Sequence, residues 1–250
     1  MACTKAAYPQ SSNVHTLAEA VGAKQGQVME GAKTQNWANL VRVLGKLAVR
    51  EERLLAAGAA FVAGNSDRIP QGISNTLLGL AAVGWEEKAM VGKLAHAMKE
   101  RAGSSNAQNI SNVLWVLATL RWKDEAVYAV LLQCSVKVSD RSTPQNLSNT
   151  FLASAIVCHH DLHLDVLALK VSQQQALQQW NAQGISNALL AWAVLTATCC
   201  CGVTLTSSAQ HVLCDFSRKG RALKQICRES FRASLCRYGD RMETVKPGQT

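Results

Sequence analysis

The segment AQNISNVLWVLATL at residues 107–120 recurs along the chain with matching residue types in matching places. Its gap-free counterparts are TQNWANLVRVLGKL at 34–47, PQGISNTLLGLAAV at 70–83, PQNLSNTFLASAIV at 144–157 and AQGISNALLAWAVL at 182–195. Each copy holds a Gln, 36 to 38 residues from the previous one, and an Asn four residues after that Gln. The pairs are Gln35/Asn39, Gln71/Asn75, Gln108/Asn112, Gln145/Asn149 and Gln183/Asn187. Self-similarity at this period indicates a helical repeat array.

Each copy predicts a helix, called helix A. Pro70 and Pro144 fall in the first turn, where proline is tolerated, and Asn106 and Asn181 are good N-cap residues. The rest of each copy is apolar nearly all round, which is typical of a buried helix. The tenth residue after Gln is small in every copy and would let a neighbouring helix approach closely. These small residues are Gly45, Ala81, Ala118, Ala155 and Ala193.

A second helix, called helix B, follows each helix A after a short turn. Its starts read Arg50-Glu51-Glu52, Trp85-Glu86-Glu87, Trp122-Lys123-Asp124 and His160-Asp161. Acidic residues in a first turn complement the helix dipole. Helix B also carries most of the charge. The five aligned apolar segments and the absence of alternating strand patterns predict an all-α fold without a sheet. We expect a right-handed α-solenoid of helix-turn-helix repeats, with helix A inside and helix B outside.

The repeat pattern divides the chain into three parts. Residues 1–33 are expected to form a partial, capping repeat, and residues 34–200 the array, with repeats starting near 34, 70, 107, 144 and 182. Residues 201–250 are expected to form basic C-terminal helices and a polar tail. No apolar run approaches the ~18 residues of a membrane span. The nine irregularly spaced cysteines indicate a reducing compartment.

The Gln-x-(Ile/Leu)-Ser-Asn core of these copies resembles that of octotricopeptide repeat proteins and of relatives with a FAST-kinase-like leucine-rich region. The resemblance covers residues 34–200, although the first copy has Trp37-Ala38 in place of Ile-Ser. It implies an organellar RNA-binding factor, in chloroplasts more than in mitochondria, that acts in RNA processing, stability or translation. Many members end in a RAP domain, which we do not find here, so the resemblance implies binding and not cleavage.

The composition and the motifs agree with a binding protein. The formal net charge of +9 favours a polyanionic partner. The sequence lacks a phosphate-cradling glycine loop, a nucleophile elbow and a zinc-protease helix, so we expect neither an enzyme nor a cofactor. Residues 158–163, CHHDLH, look like a metal cluster but lack a zinc spacing and fall in the turn between helices A and B. We therefore expect no metal.

The repeated Gln/Asn pair is the first candidate RNA contact. Residues four apart share a helix face, and this face points away from the strongest apolar arc. Their amides could bond base edges or phosphates; alternatively, the Asn bonds backbone groups between repeats. The residue after Gln varies and is expected at an exposed first turn, so we select it for base reading, although the variation could also reflect tolerance at a helix start. It is Asn36, Gly72, Asn109, Asn146 or Gly184.

The second candidate is the basic C-terminal segment, in which Arg218, Lys219, Arg221 and Lys224 could track a phosphate backbone. A solvated helix face is the alternative. The tryptophans could stack on bases, but core packing is the expected role. They are Trp37, Trp115 and Trp192 within helix A, and Trp85 and Trp122 at turns.

The sequence thus predicts sequence-selective binding of single-stranded RNA, with other proteins of an organellar ribonucleoprotein complex as further partners. One rival function is a protein-interaction scaffold, because other α-solenoids bind peptides. Another is a structural subunit of an organellar ribosome. The charge of the inner surface separates the first two: a basic surface favours RNA, and a neutral or acidic one favours peptide.

Overall fold

The computed structural model describes residues 16, 19–20, 31–65, 69–85, 87–173 and 180–198. Within these residues the chain forms nine α-helices, two short 3₁₀ turns and no strand. The helices are α1 Thr34–Lys46, α2 Glu52–Gly64, α3 Pro70–Ala82, α4 Lys88–Arg101, α5 Ala107–Thr119, α6 Glu125–Lys137, α7 Pro144–Ile156, α8 Leu162–Gln173 and α9 Ala182–Thr198. The all-helical prediction is therefore confirmed for the described part of the chain.

The five helix-A segments are α1, α3, α5, α7 and α9, and each begins at a predicted repeat start. The predicted caps are present. Asn106 Oδ1 accepts a hydrogen bond from Asn109 N at 2.8 Å, and Asn181 Oδ1 accepts one from Gly184 N at 2.8 Å. Pro70 and Pro144 occupy the first turns of their helices, where the missing N–H costs nothing.

The chain divides into two compact units, Met1–Leu131 and Leu132–Thr250. In the first unit α1 packs against α3 and α3 against α5, while α2 packs against α4. Helix A thus contacts helix A, and helix B contacts helix B, in two layers. Leu54, Ile73, Leu77 and Leu94 are fully or almost fully buried between them. In the second unit α7 packs against α9.

Glycines allow the backbones of α1 and α3 to approach each other. A Cβ atom on Gly79 would lie 2.3 Å from the carbonyl oxygen of Val41, and one on Gly45 would lie 2.6 Å from Gly79 Cα. Both distances are far below a normal contact, so only glycine fits at these two sites. The predicted role of Gly45, close approach by a neighbouring helix, is confirmed.

The turns from helix A to helix B are alike in all four described repeats. The residue after the C-cap has positive φ at Ala48, Gly84, Arg121 and Cys158. The next residue donates its N–H back into helix A, as Trp122 N does to Leu117 O at 2.9 Å, in the pattern of a Schellman motif. Three of these positions therefore hold a side chain in a conformation that favours glycine.

The structure changes the alignment of the helix-B starts between repeats. Acidic N-caps precede the helices at Glu51, Asp124 and Asp161, and each accepts a bond from the backbone N–H three residues on. Relative to these caps, Val49 and His159 are the counterparts of Trp85 and Trp122. The alignment of Arg50 and His160 with those tryptophans was wrong by one residue.

Two parts of the prediction lie largely or wholly outside the described residues: the capping segment 1–33 and the C-terminal region 201–250. Among the helices that are described, none combines the length and apolar character needed to cross a bilayer.

Candidate functional site

Helix A presents one accessible face, which we call the exposed stripe. On α5 it consists of Gln108, Asn112, Trp115 and Thr119, and each of these is exposed or half-buried. At about 100° per residue these positions fall within roughly 60° of one another on the helix. The remaining positions of α5, such as Ile110 and Leu114, are buried. Helix A is therefore not buried all round, contrary to the apolar pattern.

The same stripe recurs on the other helix-A segments. Its members are Gln35, Asn39, Arg42 and Lys46 on α1; Gln71, Asn75, Leu78 and Ala82 on α3; Gln145, Asn149, Leu152 and Ile156 on α7; and Gln183, Asn187 and Val194 on α9, where the equivalent Leu190 is buried. Every Asn is the sixth residue of its helix, and all are exposed or half-buried. The Asn positions are thus equivalent from copy to copy.

The Asn amides of the later copies are free to bind a ligand. Within the described part of the chain, Asn75, Asn112, Asn149 and Asn187 make no side-chain hydrogen bond. Their amide atoms also stay accessible, since none of them is a buried atom lacking a partner. The alternative in which this Asn bonds backbone groups between repeats is therefore wrong for these four residues.

The first copy shows that Gln and Asn can act as a unit. Gln35 Nε2 donates to Asn39 Oδ1 at 2.9 Å, which agrees with the prediction that the pair shares a face. In this geometry the NH₂ group of Asn39 remains for other partners, whereas the carbonyl oxygen of Gln35 is buried without a hydrogen bond. The described pairs of the later copies lack this internal bond, so both of their amides are open.

The residue after Gln is not the exposed position that the sequence suggested. Gly72, Asn109 and Gly184 are buried, whereas Asn146 is half-buried and Asn36 is exposed. A Cβ atom on Gly72 would touch Ala38 Cβ at 3.6 Å, and one on Gly184 would lie 3.9 Å from Ser148 Oγ. At Gly72 and Gly184 this position therefore lies against the preceding helix A within its unit. Asn36 Oδ1 already accepts Lys33 N.

The variable accessible position lies seven residues after Gln instead. It holds Arg42, Leu78, Trp115 and Leu152, all half-buried. The expectation of core packing is confirmed for Trp37, which is 5% exposed and stacks on Phe61, and for Trp85 at 7%. It is wrong for Trp115 and for Trp122, which are half-buried. The partial exposure of these two residues was not predicted, because the equivalent residues of other repeats are apolar or buried.

Charge on the described stripes is confined to α1, where Arg42 and Lys46 stand. The stripes of α3, α5, α7 and α9 are neutral. The neutral stripes match the expectation for a peptide, and only the stripe of α1 carries the positive charge expected for RNA. The cations proposed for phosphate contacts, Arg218, Lys219, Arg221 and Lys224, lie outside the described residues.

The His-rich turn of residues 158–163 forms a compact polar cluster in the second unit. His160 Nε2 lies 2.8 Å from Asp165 Oδ1, and this hydrogen bond raises the pKa of His160 above its ordinary value, against the effect of burial. Burial opposes ionisation of Asp161, yet the imidazoles of His159 and His163 and the backbone N–H of Leu164 lower its pKa. These contacts cap and stabilise the start of α8.

The cluster does not form a metal site within the described residues, where no group of His, Cys, Asp and Glu side chains could hold an ion. His159 is 5% exposed and lies 3.5 Å from Asp161 Oδ2, so it is committed to the turn. Cys158 is exposed, and Cys199 to Cys201 lie outside the described residues.

Comparison of the chain with protein-family models and with curated sequences finds no match. The octotricopeptide resemblance rests on the repeated motif itself.

Proposed function

We propose that the protein binds single-stranded RNA along the exposed stripes of helix A. The repeats would stack as a right-handed α-solenoid with a unit of about 37 residues, helix A lining the inner surface. The observation that carries this proposal is the set of accessible, unpartnered amides of Asn75, Asn112, Asn149 and Asn187, each one turn from an exposed Gln.

The chemistry of the stripe suits unpaired bases. An amide offers both a donor and an acceptor, which can pair with the Watson–Crick edge of a splayed base or with a 2′-hydroxyl. Trp115 lies between Asn112 and Thr119 on its stripe and would provide a flat surface for stacking. An invariant amide pair cannot distinguish bases, so selectivity would come from the variable position held by Arg42, Leu78, Trp115 and Leu152.

The phosphate backbone would be held at the ends of the array. Arg42 and Lys46 supply positive charge on the first stripe, and Arg218, Lys219, Arg221 and Lys224 would supply it beyond the last. This arrangement fits a net charge of +9. We further propose a binding factor without catalytic activity, acting on organellar transcripts, in chloroplasts more than in mitochondria, together with other proteins.

A second candidate function is binding of an extended peptide, favoured by the neutral stripes of α3, α5, α7 and α9. Amides pair with peptide N–H and C=O groups as readily as with bases. Leu78, Leu152 and Ile156 add accessible apolar surface that a peptide side chain could cover. A scaffold within a ribonucleoprotein complex or an organellar ribosome would use the stripe in this way.

The test compares Asn112→Ala with Gln133→Ala in the full chain. Gln133 is an exposed amide on α6, outside the stripe, so it controls for loss of an amide in the same region. If the stripe binds RNA, Asn112→Ala weakens binding of a single-stranded oligonucleotide by about 5- to 10-fold, the effect of one lost hydrogen bond, and Gln133→Ala leaves it unchanged. Equal effects of the two variants would contradict the proposed site.

A further inference from the structure

The first unit contains a groove that the stripe does not use. It opens on the helix-B layer between α2 and α4, with a volume of about 640 Å³, within the range of small-molecule sites. Small residues contribute much of its lining, among them Ala60 and Ala63 on α2. Trp122 forms a wall and packs against Gly92, where a Cβ atom would lie 3.4 Å from the indole Nε1.

The charge of this groove is positive at one end. Lys88 and Lys93 line it from the N-terminal half of α4, and both are exposed. Neither forms an ion pair with any carboxylate in the described part of the chain. Among the described residues that line the groove, Glu100 is the only acid; it lies twelve residues after Lys88 and therefore about 18 Å away along the helix axis. The positive end of the α4 dipole adds to the field at Lys88.

A second, smaller cavity of about 280 Å³ borders the same two residues, Lys88 and Trp122. It is also lined by Arg121 and by Trp85, which is only 7% exposed. The indole Nε1 of Trp85 is buried without a hydrogen-bond acceptor. The Trp85 indole N–H thus remains buried and unsatisfied beside this cavity, at a cost in free energy. Both cavities thus combine an aromatic wall with the exposed cation of Lys88.

We propose that the groove binds a nucleoside 5′-monophosphate, with the base against Trp122 and the phosphate at Lys88. A flat ring stacks on an indole whatever the base, and a dianion requires cations without competing carboxylates. The His96 ring meets Trp122 edge-on at 5.9 Å, which buttresses the indole from one side. The site lies on the helix-B layer, so it does not depend on RNA binding by the helix-A stripes.

The ligand could be a free nucleotide or the 5′-phosphorylated terminal nucleotide of an RNA strand, because both present the same base and phosphate. Titration calorimetry of the full chain with AMP, adenosine and inorganic phosphate separates the contributions of the ring and the anion. We expect AMP to bind more tightly than either fragment.

Two variants with matched controls test the residues. Trp122→Ala and Lys88→Glu should each weaken AMP binding by at least about 10-fold, through lost stacking and a lost charged hydrogen bond. Trp122→Phe should retain most of the affinity. The control Lys137→Glu, an exposed cation of α6 that lines neither cavity, should leave it unchanged. Because Lys88 is exposed, Lys88→Glu should not unfold the chain, so a loss of AMP binding in this variant reports on the site itself.

A competition experiment distinguishes the two sources of the ligand. If 5′-phosphorylated RNA displaces AMP better than the same strand with a 5′-hydroxyl, and Trp122→Ala abolishes the difference, the site takes the end of a strand. If neither strand displaces AMP, the site takes free nucleotide. The proposal is overturned if AMP fails to bind at about 1 mM or if Lys88→Glu binds it as well as the unaltered chain does.

Discussion

Replacing Gly79 by Ala probes the contact that brings two stripes together. The new Cβ atom would lie 2.3 Å from the Val41 carbonyl oxygen and 2.7 Å from its carbonyl carbon. These are backbone atoms, so no side-chain rotation relieves the overlap and α3 must move away from α1 by about 1 Å. Overpacking of this kind costs about 3 kcal/mol at its upper range, while the better helix propensity of Ala returns about 1 kcal/mol. We expect a net loss of about 2 kcal/mol.

Gly64 provides the matched control, because a Cβ atom there would meet nothing within 4 Å. Gly64→Ala should leave stability unchanged or raise it by up to about 1 kcal/mol. Urea unfolding followed by circular dichroism at 222 nm measures both variants, and their midpoints are compared because repeat arrays need not unfold in two states. A Gly79→Ala midpoint equal to that of the unaltered chain would refute the close backbone contact.

Three further predictions have defined outcomes. Gly84→Ala should lower stability by about 1 kcal/mol and Ala48→Gly should raise it similarly, because both residues have positive φ; opposite shifts in the urea midpoint would contradict the turn geometry. The Asp165 hydrogen bond raises the pKa of His160, so its stabilisation is complete below pH 6.5 and is lost as pH rises through the raised pKa. The urea midpoint of unfolding should therefore decrease as the pH is raised above 6.5. If the midpoint of His160→Gln depends on pH in the same way as that of the unaltered chain, this assignment is contradicted. Trp115→Ala should weaken single-stranded RNA binding by about 1–3 kcal/mol in a filter-binding assay, and a result equal to that of Gln133→Ala would exclude stacking.

The helices themselves were predictable from the sequence because their signals are local. Pro70, Pro144, Asn106 and Asn181 mark helix starts by rules that depend on only a few neighbouring residues. Gly45 likewise predicted the close approach of a neighbouring helix, because a small residue recurs at the same position in every repeat.

The accessible face of helix A could not be read from the same pattern. Leu78 and Leu152 look like core residues in sequence, yet the packing of successive helices leaves them half-exposed. Conversely, the Asn/Gly variation at Gly72 and Asn109 looked like a variable surface, yet both residues are buried. Burial of a single position depends on tertiary packing, which apolar periodicity alone does not specify.

The turns and the groove could not be predicted because the sequence carries few local signals for them. Ala48, Arg121 and Cys158 adopt a conformation usually marked by glycine, and only Gly84 carries that mark. The groove joins residues of α2 and α4 to Trp122, which come together only in the folded unit. The one feature of the sequence related to the groove is the 37-residue spacing of Trp85 and Trp122.

The most direct test of RNA binding by the stripes is the salt dependence of affinity in a triple variant. The unaltered chain and Asn75→Ala/Asn112→Ala/Asn149→Ala would be titrated with a single-stranded RNA, its duplex and an extended peptide library, between about 50 and 200 mM salt. We predict preference for the single strand and a slope of log K against log salt of about −3 to −4, as for roughly 4–6 phosphate contacts. The triple variant should bind more weakly with the same slope, because amides contact bases and cations contact phosphates. Peptide capture that depends on the three Asn residues, without RNA binding at the lowest salt, would contradict the account and assign the stripe to a protein partner.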